Sequence, residues 1–278
     1  MLRLVDFSDL SESTLVDELT VERSEFRWGK YRLSFQEEAH FLGLIENYVL
    51  DIYRTSMLKL GDTVLDLGAG IGDFAILASN KVGSMGLVVA VEPSPTDYNL
   101  MTHNIWVNDC RNVLAINKGV GNSAGVRKAK FADHTFTFAV DTLCDLLGDV
   151  EIAPRFDFVK IDIEGFEREL FSAKSNTEVL CTANHISLEL HGTKDVVDSI
   201  LTARGYRFDR LTKRRLLSKA LAAVLSHPAA LYSAYKRAVA TRPHLISKMI
   251  RGVEITGGGN LLVGTYVKVN SNFHVCTT

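Results

Sequence analysis

The stretch VLDLGAGIGDFAILAS, residues 64 to 79, limits what this chain can fold into more than any other. A short apolar run ends in Gly68, Gly70 and Gly72, and an apolar helical segment starts at Phe74. A strand that turns through glycines straight into a helix leaves bare backbone at the turn, open to a flat or charged ligand. Val64–Leu67, Gly86–Val91, Val113–Ile116, Phe156–Ile161 and Ile186–Leu190 are short, β-rich runs, most of them followed by helical patterning. That alternation predicts an α/β fold built on a parallel sheet covered on both faces. Ahead of it, Phe41, Leu44, Ile45, Val49 and Ile52 recur at helical spacing and predict an amphipathic helix over 36–56.

A length of 278 residues, 46% of them hydrophobic and 23% charged, suits one large globular domain with an insertion. No window reaches the roughly 18 apolar residues of a membrane-spanning helix, so the expected location is cytoplasmic. Cys110, Cys144, Cys181 and Cys276 lie far apart without a CxxC pair, which argues against a disulfide framework or a zinc site. The net charge of -2 conceals a split. Eleven Lys or Arg stand against the single acid Asp209 between Arg207 and Arg251, so this segment carries +10 and the remainder -12. An acidic body with a basic appendage is expected.

Glu92 ends the strand after the glycine turn, twenty residues beyond Gly72, where an acid accepts the two hydroxyls of a nucleotide ribose. A dinucleotide needs G-x-G-x-x-G, with pyrophosphate on the helix N-terminus. Here the spacing is G-x-G-x-G, and pyrophosphate would face Asp66 and Asp73. An acid two residues before the first glycine suits a ligand with a cationic amino group, and S-adenosylmethionine carries an ammonium, a sulfonium and a ribose. The plain alternative is a tight structural turn with an incidental Glu92.

VLDLGAGIGDF, VVAVEPSP, INKGVGNSAG, VDTLCDLL, FVKIDIEGFERELF and ISLELH occur in the order and at about the spacing of the FkbM-type S-adenosylmethionine-dependent methyltransferases. Over roughly residues 60 to 192 the chain resembles that family, with KIDIEG as the most specific element. The resemblance implies a Rossmann-like class I methyltransferase sheet of seven strands, the last antiparallel, with helices on both faces. An N-terminal helical extension over 1–57, a catalytic domain over 58–278 and a basic helical insertion over 209–252 would complete the chain. The implied reaction is methyl transfer, usually to a hydroxyl oxygen of a sugar, glycoconjugate or similar small molecule. Carried over by position, Asp66 and the backbone at Gly68, Gly70 and Gly72 would contact the methionine moiety, and Glu92 the ribose. Pro93 and Ser94 would border the adenine, with Asn117 and Gly119 closing its other side.

Displacement at a sulfonium needs an aligned nucleophile, exclusion of water and, for a hydroxyl acceptor, a base or a divalent cation. Ligands of open parallel sheets sit beyond the carboxyl ends of the strands. Asp162 and Glu164 end one strand, and Glu189 and His191 end the next, each pair two residues apart and so on one face. Asp162 is expected to face the cofactor or orient the acceptor, with Glu164 or His191 as the base. Asp162, Glu164, Glu189 and His191 together could hold a cation such as magnesium. The competing role for Glu164 is structural, with Glu164 or Glu167 serving the N-terminus of the helix near Phe166. His191 reads equally well as a plain loop histidine. Lys160, odd in an apolar strand, is expected to pair with an acid.

The insertion has Leu217, Leu221, Val224 and Leu225 at helical spacing among basic residues, a break at His227-Pro228, and a second apolar stretch through Tyr232 and Tyr235. Two amphipathic helices are predicted between the strand at Tyr206–Phe208 and the last strand, 260–267. They fit a lid, a homodimer surface, or a peripheral contact with an anionic membrane. A nucleic-acid partner is not expected, because Asp162-Ile163-Glu164-Gly165 lacks the paired prolines and aromatic of a nucleobase amino-methyltransferase. Three functional alternatives stand beside the small-molecule methyltransferase: a non-catalytic protein of the same fold, a dehydrogenase-like nucleotide binder, and a nucleic-acid methyltransferase using the insertion.

Overall fold

The computed structural model describes residues 24–131, 134–229, 232 and 261–269. Its first element departs from the helical extension expected there. β1 (Ser24–Trp28) and β2 (Tyr31–Phe35) form an antiparallel hairpin across Gly29-Lys30. Phe26, Trp28, Leu33 and Phe35 alternate onto its buried face, and Gly29 takes the left-handed φ of 57° that so tight a hairpin turn favours. Helix follows as α1 (Glu38–Ile45), widens into a π turn at Glu46–Leu50, and stops at Asp51, whose φ is 50°.

β3 (Thr63–Leu67), α2 (Asp73–Val82), β4 (Leu87–Val91), α3 (Pro95–Val107) and β5 (Val113–Ile116) make the first half of the main sheet. Ser94 caps α3 by accepting a hydrogen bond from the Asp97 N–H, with Pro95 in the first turn. An unforeseen small sheet comes next: β6 (Gly119–Val120), β7 (Gly125–Phe131) and β8 (His134–Asp141), in the order β6-β8-β7. The chain continues through α4 (Leu143–Asp149), β9 (Phe158–Ile161), α5 (Glu167–Ser172), α6 (Lys174–Leu180), β10 (His185–His191) and α7 (Lys194–Thr202). It ends in β11 (Tyr206–Arg210), α8 (Lys213–Ser226) and β12 (Leu261–Lys268).

The main sheet has seven strands in the order β11-β12-β10-β9-β3-β4-β5. β12 runs antiparallel to both neighbours, as expected of the last strand. Strand order reverses between β3 and β9, so the crevice beyond their carboxyl ends is the natural ligand site. Alternation along the strands feeds two cores. Val64, Val88, Ala90 and Phe158 pack with α1, α2 and α3, while Leu65, Leu67, Val89, Val159 and Ile161 pack with α4 to α7. Each fully buried aliphatic side chain contributes about 1.5–3 kcal/mol, and the two layers hold the strand ends at fixed heights.

α8 confirms the first helix expected in the insertion and lies on the α1 side. Leu216 and Ala223 are buried there, Lys219 Nζ reaches Asp51 Oδ2 at 2.7 Å, and His227 stacks on Trp28 with ring centres 4.6 Å apart. The other side exposes Leu217, Leu221, Val224 and Leu225. The second expected helix falls on residues 230–260, which, Tyr232 apart, lie outside the described residues, as does the extension before Ser24. Among the described residues no helix is long and apolar enough to cross a membrane.

Candidate active site

The site starts from the turn between β3 and α2. Gly68 and Ala69 donate their N–H groups to the Val91 carbonyl, each at 3.0 Å, which ties the turn to the end of β4. At Gly68, φ is 74° and a Cβ would lie 1.7 Å from the Asp162 carbonyl oxygen, so only glycine lets β9 approach this closely. At Gly70, φ is 52° and a Cβ would meet nothing within 4 Å. Its bare face opens into a cavity of about 570 Å³ that runs across the carboxyl ends of the strands. Gly72 is the residue before α2, packed toward Met101, and does not line the cavity.

Glu92, Pro93 and Ser94 line one end of this cavity. The Glu92 carboxylate accepts N–H hydrogen bonds from Gly70 and Ser94, both at 2.7 Å, leaving further lone pairs for hydroxyl donors. Burial, then the nearby Asp97, pushes its pKa up to about 8 against those two hydrogen bonds. Gly119 faces this end, with the Phe138 ring where its Cβ would be, and Phe136 and Val140 extend the same wall. Asn117 stands behind the wall and donates through Nδ2 to the carbonyls of Glu92, at 2.9 Å, and Pro93, at 3.3 Å. It fastens β5 to β4 and is not on the cavity surface.

Acids crowd the other end. Asp162 and Glu189 both line the cavity, and the Tyr53 hydroxyl lies between them, 2.8 Å from Asp162 Oδ2 and 2.9 Å from Glu189 Oε2. Glu46 and Asp73 join them from α1's π turn and the first turn of α2, and Asn47 Nδ2 donates to Asp73 Oδ2 at 2.9 Å. Burial and the neighbouring carboxylates, Asp162 foremost, push Glu189 up to about 7, while burial and then Glu189 raise Glu46 well above the carboxylate range. Tyr53 reaches this place because the chain turns at Asp51 and Arg54, both with left-handed φ. Asp51 accepts from the Thr55 N–H and from Lys219 of α8, and Arg54 pairs with Asp209 at 2.7 Å. The basic insertion thus clamps the corner that presents Tyr53.

Asp66 corrects an expectation. Its carboxylate is fully buried under the turn, faces Lys160 Nζ at 3.1 Å and does not line the cavity. β3 and β9 put Asp66 and Lys160 in register as cross-strand neighbours, and Lys160 also donates to the Gly68 carbonyl at 2.5 Å. Burial would lower the Lys160 pKa, but Asp66, Asp162 and Asp73 raise it on balance. Burial drives Asp66 up to about 6 in spite of Lys160. Asp73, in the first turn of α2, lines the cavity wall from which Asp66 is absent.

The two pairs at the ends of β9 and β10 do converge, with different partners from those expected. Glu164 sits at φ 52° on the way out of β9, lines the cavity, and lies 3.4 Å from His191 Nε2. His191 stands behind it, with Nδ1 3.1 Å from Oε1 of Glu167. Glu167 is wholly buried, accepts from the Gly165 N–H and the Thr193 hydroxyl, and so takes the structural role left open between Glu164 and Glu167. Burial opposes a charged His191, yet Glu167, Glu189 and Glu164 raise it to about 9, which makes it an imidazolium at neutral pH. Asp162, Glu164 and His191 each offer a ligand atom within 4.8 Å of the others, and Glu189 stands outside that group.

Tyr53, Glu46 and the hairpin residues Phe136 and Phe138 escaped sequence reasoning. For the phenylalanines, the alternation in TFTFAV was a usable signal; for Tyr53 no local pattern exists, since its partners lie 109 and 136 residues away.

A seven-stranded sheet with its last strand reversed, and a glycine turn at the switch point with Glu92 closing the next strand, form the arrangement of a class I methyltransferase. The chain belongs to the FkbM methyltransferase family: the model of the methyltransferase FkbM domain matches residues 66–208. S-adenosylmethionine-dependent methyl transfer is the chemistry of that class. No curated protein sequence matches the chain significantly. Similar solved structures include precorrin-6y C5,15-methyltransferase from Geobacter metallireducens, at 20% identity over 58% of this chain and 72% of that one, with a TM-score of 0.40. A SAM-dependent methyltransferase from Aquifex aeolicus is 15% identical over 64% and 93% of the two chains, with a TM-score of 0.39. TYW2 from M. jannaschii in complex with AdoMet is 13% identical over 90% and 89%, with a TM-score of 0.41.

Proposed function

We propose that this chain methylates a hydroxyl oxygen of a sugar, glycoconjugate or similar small polar acceptor. The observation behind this reading is one cavity that carries Glu92 at one end and the acids Asp162 and Glu189 at the other, with a lining suited to hydroxyls between them. On that lining Phe166 offers a flat apolar surface, Arg127 pairs with Glu169 at 3.1 Å, and Glu164 supplies acceptor oxygens. Sugars present apolar ring faces and hydroxyl edges, which such a lining meets together.

The residues present fit S-adenosylmethionine. The open space at Gly70 would hold the methionine backbone, Glu92 the ribose hydroxyls, the Phe138 wall the adenine, and Asp73 the ammonium. When bound, the cofactor supplies an electrophilic methyl on a cationic sulfur. The chain's own part is to align the acceptor beside Asp162, to exclude water with the α1 and β7–β8 walls, and to take up the hydroxyl proton. A dinucleotide fits less well, because Asp73 opens α2 where pyrophosphate would sit. Calorimetric titration with S-adenosylmethionine and with NAD tests the assignment: saturable binding of the first alone is expected, and binding of NAD alone would overturn it. Labelled methyl transfer to a panel of glycans then tests the acceptor class.

We infer in addition that the exposed side of α8 meets an anionic membrane surface. Leu217, Leu221, Val224 and Leu225 fall on one side of that helix, inside a segment carrying +10. Flotation with phosphatidylserine vesicles should be strong at low salt and weak at high salt. A lipid-free dimer that fails to float would assign the face to a second copy.

A further inference from the structure

We propose that the groove outside the cavity, between α5 and the loop from β6 to β7, holds an oxyanion of the acceptor, a phosphate or a carboxylate, on Arg168 and Arg127. This deepens the reading above, on which it rests for the hydroxyl that is methylated, and makes the acceptor an anionic glycoconjugate.

The groove, of about 490 Å³, shares Arg127, Phe166 and Glu169 with the cavity and so continues it outward. Its own walls include Asn122, from the β6–β7 loop, and Arg168 and Ser172 of α5, which lie one helical turn apart and share a face. Hydrogen-bond accounting shows which chemistry this groove lacks. Asn122 Oδ1 accepts from the Ser123 hydroxyl and Asn122 Nδ2 donates to Ser172 Oγ, both at 3.2 Å. Ser172 in turn gives its hydroxyl hydrogen to the Glu169 carbonyl at 2.7 Å, and the Glu169 carboxylate is engaged by Arg127.

What remains is mainly donors: the second N–H of Asn122, the further N–H groups of Arg127, and the whole guanidinium of Arg168. Among the described residues Arg168 makes no hydrogen bond and no ion pair. Lys128, beside Arg127 on β7, lines the cavity and is likewise unpaired among them. Lys118, by contrast, is already held by Asp141 at 2.6 Å and Asp149 at 2.9 Å. A donor-rich surface with an uncompensated guanidinium fits an oxyanion, which an arginine fork can meet with two parallel hydrogen bonds.

Charge also sets the direction of entry. The inner end is crowded with the carboxyl groups of Glu46, Asp73, Asp162 and Glu189 and is hostile to an anion, whereas the groove attracts one. An acceptor with an anionic group at one end therefore enters one way round, its anion at Arg168 and a hydroxyl at Asp162, with Phe166 against the sugar ring between them. The groove thus selects which hydroxyl meets the methyl.

A glycan array probed with the full chain in the presence of S-adenosylhomocysteine tests this. The array carries neutral glycans, matching uronates and sugar phosphates, immobilised glycerol phosphate and a short RNA. Anionic glycans should be retained on the order of tenfold or more over their neutral counterparts at low salt. Arg168→Glu, a change at an exposed side chain, should lose that preference and still bind S-adenosylhomocysteine, which reports a folded site. A preference for uronates or for phosphates identifies the oxyanion. Equal retention of neutral and anionic glycans overturns the inference and leaves the sugar reading standing. Retention of glycerol phosphate and of no glycan, lost in Arg168→Glu, supports the anion site and removes the sugar. An anionic preference that survives Arg168→Glu belongs to the basic insertion, and Arg168-dependent retention of the RNA alone makes the partner a nucleic acid. Either result overturns the inference, as does retention of nothing on the array.

Discussion

The two ends of the cavity are built on opposite plans. The Glu92 end is built on nearly continuous chain, β3 through Ser94, closed by the β8 wall of Phe136, Phe138 and Val140, and works through backbone: glycine N–H groups, a carbonyl at Val91 and one carboxylate held by two amides. The acid end gathers side chains from Glu46, Tyr53, Asp73, Asp162 and Glu189, which meet only when the whole sheet and the N-terminal corner are in place. One end is geometry, and substitution there should damage fold or cofactor affinity. The other is a balance of charges, and substitution there should move protons with little loss of structure.

The largest break is expected at the seam between the two. Gly68→Ala drives a Cβ into the Asp162 carbonyl at a left-handed φ and should lose more than about 4 kcal/mol, measured by urea unfolding or as failure to fold. Lys160→Met comes next. It strands the fully buried Asp66, and removal of one partner of such a pair costs about 3–5 kcal/mol. The sign with pH follows from Asp66, already pushed up to about 6. Without Lys160, which lowers it, Asp66 should rise further, so the deficit of the variant should be smallest at about pH 6 and below and grow as pH rises above it.

Glu92→Gln keeps the shape of the first end but turns one of two oxygens, each of which accepts a backbone N–H, into a donor. Loss of that acceptor, at about 1.5–3 kcal/mol, should lower S-adenosylmethionine affinity on the order of tenfold to a hundredfold by calorimetry, and the unmatched N–H should cost about 1–3 kcal/mol in urea unfolding. Tyr53→Phe is the smallest, about 1 kcal/mol or less in unfolding. A loss as large as that of Lys160→Met would mean that the acid end is structural after all.

The same contrast explains what could be read from the chain. Gly68, Gly70, Glu92 and the strand runs were legible because their signal is local: a backbone turn imposes glycine wherever it occurs, and a buried strand imposes its apolar run. The position of Asp66 misled, since an acid before a glycine turn looks alike whether it faces ligand or a buried lysine, and only the β3–β9 register decides. Lys160 carried the clue, because a lysine inside an apolar strand requires a buried acid. Glu164 and Glu167 could not be separated by spacing alone; the positive φ at Glu164 swings one toward the cavity and leaves the other under His191. The β1–β2 hairpin was hidden among charged residues, its period-two row of Phe26, Trp28, Leu33 and Phe35 split by the turn at Gly29.

A crystal structure with S-adenosylhomocysteine tests the account most directly. The ribose hydroxyls should lie within about 3.2 Å of the Glu92 carboxylate, the ammonium at Asp73, and the sulfur toward Tyr53 and the Asp162–Glu189 pair. A ligand lying the other way round, with its ribose among the acids and its sulfur at Pro93, would contradict it.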